Sequence, residues 1–281
     1  MEIDAKVYRN ICDKRTFEQI IEGKRDIDIL MLEFLLSRMH MQKNYMDIIL
    51  SDYEFDLNEK RLLLENRINT NKTDEAARLL EEYRVICPKN KVHQQYILLK
   101  QIQIEQKKGI DIAPERFQEA LELTMSLSVC RERVKSDFVI SESEIVLYVG
   151  FLKAQGALDR KKTKILMTRI QKFFLENHIC LKIYFELGLH LSRLCLEAGK
   201  YEEGIALCDD LMDKLSDANR EYYACEILFQ WAKLLQKSGN TSLSKWKFQE
   251  AYYVAVGYMK RELAEEIRKY IQEETKWHIT D

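Results

Sequence analysis

A chain of 281 residues can hold one large or two small domains with a packed interior, which excludes a mini-protein stapled by disulfides or metal. With 46% hydrophobic and 32% charged residues but only 9 Gly and 2 Pro, it is neither disordered nor collagen-like, and long helices with short connections are expected. The net charge of −2 gives the whole chain no electrostatic footprint for nucleic acid, and the lack of any long uncharged apolar stretch points to a cytoplasmic protein with no membrane partner.

Residues 1–52 stand apart from the rest. The run VYRNICDKRTFEQIIEGKR resembles part of an Xre/Cro-type helix-turn-helix, which implies a short helix Val7–Ile11, a tight turn, and a helix Thr16–Glu22 stopped by Gly23-Lys24-Arg25. ILMLEFLLSRM then predicts an amphipathic helix. From residue 57 the helices come in pairs. LLLENRINTNKTDEAARLLEEYRVICP forms a hairpin through Leu63, Leu64, Asn71, Ala76, Leu80 and Tyr83, with Pro88 stopping the second helix. Tyr96–Lys108 with Pro114–Leu127, and Glu142–Gln155 with Asp159–Leu175, make two looser hairpins. The clearest unit is GLHLSRLCLEAGKYEEGIALCDDL, in which small Ser192 and Gly204 let antiparallel helices approach beside Leu191, Cys195, Cys208 and Leu211. LFQWAKLLQKSGNTSLSKWKFQEA repeats that spacing with Trp231, Ala232, Leu235, Gly239, Ser244, Phe248 and Ala251. A last helix, Lys260–Thr275, gathers Leu263, Ile267, Tyr270 and Ile271 on one side as a cap. Turn markers at Asn71, Gly109, Gly156, Gly199 and Gly239 are 38, 47, 43 and 40 residues apart.

The paired pattern with its terminal proline resembles the tetratricopeptide repeat, whose period is about 34 residues, so these are degenerate repeats with extended helices. The resemblance covers residues 57–276, about five hairpins plus the capping helix, and implies an all-α, right-handed superhelical solenoid. Residues 1–52 resemble the second to fourth helices of an Xre/Cro-type helix-turn-helix. That resemblance places Lys14, Arg15, Thr16, Glu18 and Gln19 toward the major groove and Lys24 and Arg25 near phosphates. The segment departs from its family. Only six residues precede Val7, too few for the first helix, which implies a fragment or a degenerate domain. Its eight bases, Lys43 among them, face ten acids, and Glu18 points a carboxylate at DNA. Two readings of it stay open: a DNA-binding domain, and a remnant that caps the solenoid.

The combination resembles cytosolic transcriptional regulators that sense short peptide pheromones. What this implies is a non-enzymatic regulator, homodimeric, whose inner groove binds an extended peptide and thereby changes the dimer or its DNA binding. In such repeats the first helix of each hairpin lines the groove. Carried onto this chain, the lining is Arg61, Glu65, Gln103, Lys153, Glu186, Leu189, Arg193, Glu226, Phe229, Lys233 and Gln236. Cations suit a terminal carboxylate, amides and acids suit main-chain groups, and an aromatic suits an apolar side chain. The alternative is a protein-protein interaction scaffold without DNA binding, its groove holding a protein tail.

Enzymatic motifs are missing: the chain contains no H-E-x-x-H, C-x-x-C, phosphate-cradling glycine loop, G-x-S-x-G or dinucleotide fingerprint. No cofactor and no metal are expected. His40, His93, His178, His190 and His278 are scattered, and His178 near Cys180 or His190 near Cys195 lacks a third ligand. The seven cysteines read as reduced core residues. The run Arg160-Lys161-Lys162-Thr163-Lys164 reads as a solubilising helix start, and Tyr222, Tyr223, Tyr252, Tyr253 and Tyr258 with Trp246 as core or dimer surface.

Overall fold

The computed structural model describes residues 4–41, 51–173, 181–217, 223–275 and 277. Lys43, Leu175, His178, Cys180, Tyr222 and His278, singled out above, lie outside the described residues. Every regular element among the described residues is a helix, as the scarcity of Gly and Pro requires. No described helix is long and apolar enough to cross a membrane.

By its internal packing the chain divides into two compact units: Met1–Leu158 with Phe173–Ile179, and Asp159–Lys172 with Cys180–Asp281. The sequence places its division instead between residues 52 and 57. The first unit holds α1 (Lys14–Ile21), α2 (Ile29–Arg38), α3 (Asp52–Asn69), α4 (Thr73–Ile86), α5 (Lys91–Lys107), α6 (Pro114–Glu122), α7 (Leu127–Lys135) and α8 (Glu142–Ala154). Helices α3 and α4 form the expected hairpin, and α5 packs on both α4 and α6. Leu30 and Phe34 of α2 enter one core with Leu57, Leu64, Leu80, Tyr83 and Tyr96 of α3–α5. The second unit contains α9 (Arg160–Phe173, its last residue excepted), α10 (Leu181–Glu197), α11 (Tyr201–Asp217), α12 (Ala224–Lys237), α13 (Thr241–Gly257) and α14 (Arg261–Thr275). Here α10/α11 and α12/α13 are the two clear hairpins, and α14 packs on α13.

The five turn markers behave as their residue types allow. Asn71 has φ +58°, and Gly109, Gly156, Gly199 and Gly239 have φ between +62° and +90°. This left-handed conformation ends a helix and favours Gly or Asn. At Gly109 the turn closes with Ile110 N–H donating to Glu105 O at 3.0 Å. Gly204 permits the expected close approach, since a Cβ there would lie 2.7 Å from Leu234 and 3.2 Å from Cys195 Cβ.

Two expected elements differ. Residues Val7–Ile11 form consecutive turns rather than a helix, because Asn10 sits at φ +69° and breaks the right-handed path. The helix expected over Pro114–Leu127 stops at Glu122, and α7 starts anew at Leu127. The cause is a buried ion pair. Arg38 Nη2 donates to the carbonyl of Thr124 at 3.1 Å, and Thr124 Oγ1 donates to Glu144 Oε1 at 2.7 Å, so this residue is drawn out of the helical ladder. Arg38 Nε and Nη2 both bond the Glu144 carboxylate, and both side chains are fully buried. Arg38 Nη1 also takes the carbonyls of Val7 (2.9 Å) and Arg9 (3.0 Å), which fastens the N-terminal turns to α6 and α8.

Candidate functional site

In the second unit α10 and α12 lie side by side, as first helices of successive hairpins do. Arg193 of α10 is exposed and Lys233 of α12 is half-buried. They stand on the adjoining helices α10 and α12, and the charge of Arg193 repels that of Lys233. Lys233 rests its ammonium 3.7 Å above the Phe229 ring centroid and 4.6 Å from that of Tyr270. Burial, followed by repulsion from Arg193, holds its pKa below the ordinary lysine value, against the attraction of Glu266. Neither cation has a carboxylate within ion-pair distance among the described residues.

The other expected lining residues of this unit take varied positions. Phe229 is buried, edge-on to Tyr270 at 5.5 Å and to Phe248 at 6.0 Å, so it forms the floor beneath Lys233. Leu189 is buried as well. Glu226 accepts from Lys260 Nζ at 2.7 Å, an internal pair that ties α12 to the start of α14. Gln236 joins that aromatic floor to solvent, accepting from Tyr270 OH at 3.3 Å. Glu186 is half-buried on α10. Sequence reasoning missed Gln230, which lies on the Glu226–Lys233 face of α12. It is only 5% exposed, and its side-chain nitrogen is buried without a partner. The signal was its register, four residues after Glu226 and three before Lys233.

In the first unit, Arg61 is buried rather than open to a groove. It pairs with Glu33 of α2 and lies 5.5 Å from the Tyr96 ring centroid. Glu65 pairs with Lys100 at 3.1 Å, and that ammonium sits 5.1 Å from the same ring. The structure thus gathers Arg61 and Glu65 around Tyr96, with Gln103 half-buried further along α5 and Lys153 exposed near the end of α8.

Of the residues assigned toward DNA, Lys14, Arg15, Lys24 and Arg25 are exposed, and Thr16 and Gln19 half-exposed, on or just after α1. Asp13 caps that helix, accepting from Thr16 N–H at 2.8 Å and Thr16 Oγ1 at 2.9 Å, and these bonds hold its carboxyl below the usual range. Arg25 Nη1 donates to Thr16 Oγ1 at 3.1 Å. Lys24 pairs with Glu22 at 2.7 Å and Lys14 with Glu18 at 3.7 Å. The inner side of α1 is fixed by Phe17, stacked on Tyr8 at 4.7 Å within a small core with Val7 and Leu35.

Among the described residues no three His, Cys, Asp or Glu side chains converge as metal ligands. The buried thiols of Cys208 and Cys225 are pushed by burial up to about 12, away from thiolate chemistry.

Hairpins of helices in both units define an all-α protein of the helical-repeat solenoid class. No family model matches the chain, and no curated protein matches it. Among solved structures it is similar to ComR from S. thermophilus in complex with DNA and its signalling peptide ComS. That likeness has 15% sequence identity and a TM-score of 0.52, and spans 94% of this chain and 91% of that one. It is also similar to the SHP pheromone receptor Rgg2 of Streptococcus dysgalactiae, at 12% identity and a TM-score of 0.44 over 96% of this chain and 98% of that one. The likeness to ComR shows a shared fold.

Proposed function

We propose that this chain is a non-enzymatic transcriptional regulator whose helical repeats bind a signalling peptide and thereby alter DNA binding or the arrangement of a homodimer. The observation that carries the reading is the Arg193–Lys233 pair: two cations on the adjoining first helices α10 and α12, neither with a carboxylate within ion-pair distance among the described residues. The fold shared with ComR, a protein solved with DNA and a peptide, supports it. Arg61, Glu65, Gln103, Lys153, Glu186, Glu226 and Phe229 belong in this proposal to the peptide-responsive repeats, and Lys14, Arg15, Thr16, Gln19, Lys24 and Arg25 to the DNA contact.

The test has two arms. Purified full-length chain is denatured and its small peptides identified by mass spectrometry; a recurrent peptide supports the proposal. A gel-shift assay on the gene's own upstream region is then run with and without that peptide, and a peptide-dependent shift is expected. Pairing of Lys14 and Lys24 with neighbouring carboxylates favours a second reading, an interaction scaffold without DNA binding. Retention of a peptide with no shift on any genomic fragment selects the scaffold.

A further inference from the structure

We infer that Arg193, Lys233 and Gln230 form a receptor for the free C-terminal carboxylate of an extended peptide; this rests on the peptide-binding reading above. Buried and half-buried cations elsewhere in the second unit have counter-charges close at hand. Lys260 meets Glu226 at 2.7 Å, Lys247 meets Glu250 at 2.8 Å, and Arg160 meets Glu203 at 2.6 Å. Arg193 and Lys233, on adjoining helices, have no carboxylate within ion-pair distance among the described residues, and the charge of Arg193 repels that of Lys233. Two like charges that repel raise each other's energy until an anion arrives, and partial burial of one enlarges the gain on pairing.

The arrangement holds its charge in place without neutralising it. Phe229 and Tyr270 attract the Lys233 ammonium through their ring faces and fix it at 3.7 and 4.6 Å. The Gln230 nitrogen supplies the second observation. This side chain is 5% exposed with a buried amide nitrogen that bonds nothing, a state that costs free energy until an acceptor is provided. Residues three apart on a helix surface are neighbours, so Gln230 and Lys233 occupy the same stretch of α12.

A planar guanidinium, a point-like ammonium and an amide donor match an ionised group followed at once by a polar main chain. The guanidinium takes two carboxylate oxygens in a fork, and the ammonium supplies the second charge. The amide takes the remaining lone pair or the carbonyl one residue back. A free peptide end carries these groups together. Glu266 of α14, exposed, attracts Lys233 and so competes with the incoming anion.

The experiment uses the full-length chain and random hexapeptide pools lacking Asp and Glu, prepared as free acids and as C-terminal carboxamides, with capture read by mass spectrometry. A third pool is carboxamide ending in Asp. The free-acid pool should be retained at least tenfold over the other two. Lys233→Met and Gln230→Leu should each reduce that retention, Lys233→Arg should keep it, and Glu266→Gln, at an exposed position, should strengthen it. Equal retention of free acids and carboxamides overturns the carboxylate receptor and leaves the peptide reading standing. Equal retention of the Asp-ended pool overturns the assignment to a chain terminus. No retention of any pool overturns the peptide reading and the receptor with it.

Discussion

Replacing Arg38 by Ala removes the cation of a fully buried pair. In the native chain its guanidinium serves the Glu144 carboxylate and the carbonyls of Val7, Arg9 and Thr124. Without it, Glu144 keeps only Ser141 N–H at 2.8 Å, Ser141 Oγ at 3.0 Å and Thr124 Oγ1 at 2.7 Å, and its charge stays buried. An uncompensated buried charge costs about 3–5 kcal/mol, or roughly two to three and a half decades in the local opening equilibrium. Native-state hydrogen exchange on α8 peptides at pH 7 reads that change directly, and tryptophan fluorescence is silent here because Trp231, Trp246 and Trp277 all lie in the second unit. The pH dependence then supplies a sign. Burial opposes ionisation of Glu144, but Arg38 outweighs it and holds the native pKa below the ordinary value. The native pair therefore adds stability that is complete above the unfolded-state pKa of about 4.3 and is lost as pH falls through the lower folded value. In Arg38→Ala burial is opposed only by the Ser141 and Thr124 bonds, the Glu144 pKa rises, and the stability gained as pH rises through the carboxylate range shrinks. Replacing the pair by Met and Leu restores only part of the loss, because Ser141 and Thr124 are left without their acceptor. A less than tenfold change in α8 exchange, or an unchanged pH trend, would refute this account.

Further expectations concern other joints. Gly150→Ala puts a Cβ 2.3 Å from the buried Phe117 ring, so thermal melting should show a loss of about 1–3 kcal/mol from overpacking between α6 and α8. Asp28 caps α2 through Met31 N–H at 2.9 Å and meets His93 at 3.0 Å. Burial raises its pKa, yet the bonds from His93 and Met31 outweigh that and keep it low. Asp28→Asn should lower stability by about 1–2 kcal/mol at pH 7 and flatten the loss of stability below the unfolded-state pKa of about 3.9, measured by urea unfolding across pH. Asn71→Gly, at φ +58°, should stabilise the α3/α4 hairpin by up to about 1 kcal/mol in the same assay.

Much of the fold was legible because its determinants are local. Asn71, Gly109, Gly156, Gly199 and Gly239 declare left-handed turns by residue type alone, and Gly204 declares a close approach. The break between α6 and α7 was not legible, since its cause lies with Arg38 and Glu144, 86 and 20 residues from Thr124. Asn10, read as part of a helix, occupies the left-handed region that its side chain tolerates. Arg61 shows the same limit at the candidate site: repeat register places it on an inner face, but Glu33, from outside the repeats, pairs with it in the interior. Gln230 was passed over although its register placed it between Glu226 and Lys233, and its unpartnered nitrogen emerged only with its neighbours in place.

The left-handed corners leave the rods between them free to change length. Each reversal depends on one residue, so a heptad added to a helix extends it by about 10 Å and returns nearly the same side to the same neighbour. The unequal intervals of 38 to 47 residues record that latitude. Growing or trimming a rod changes the width of one repeat while every bend keeps its single specifying residue.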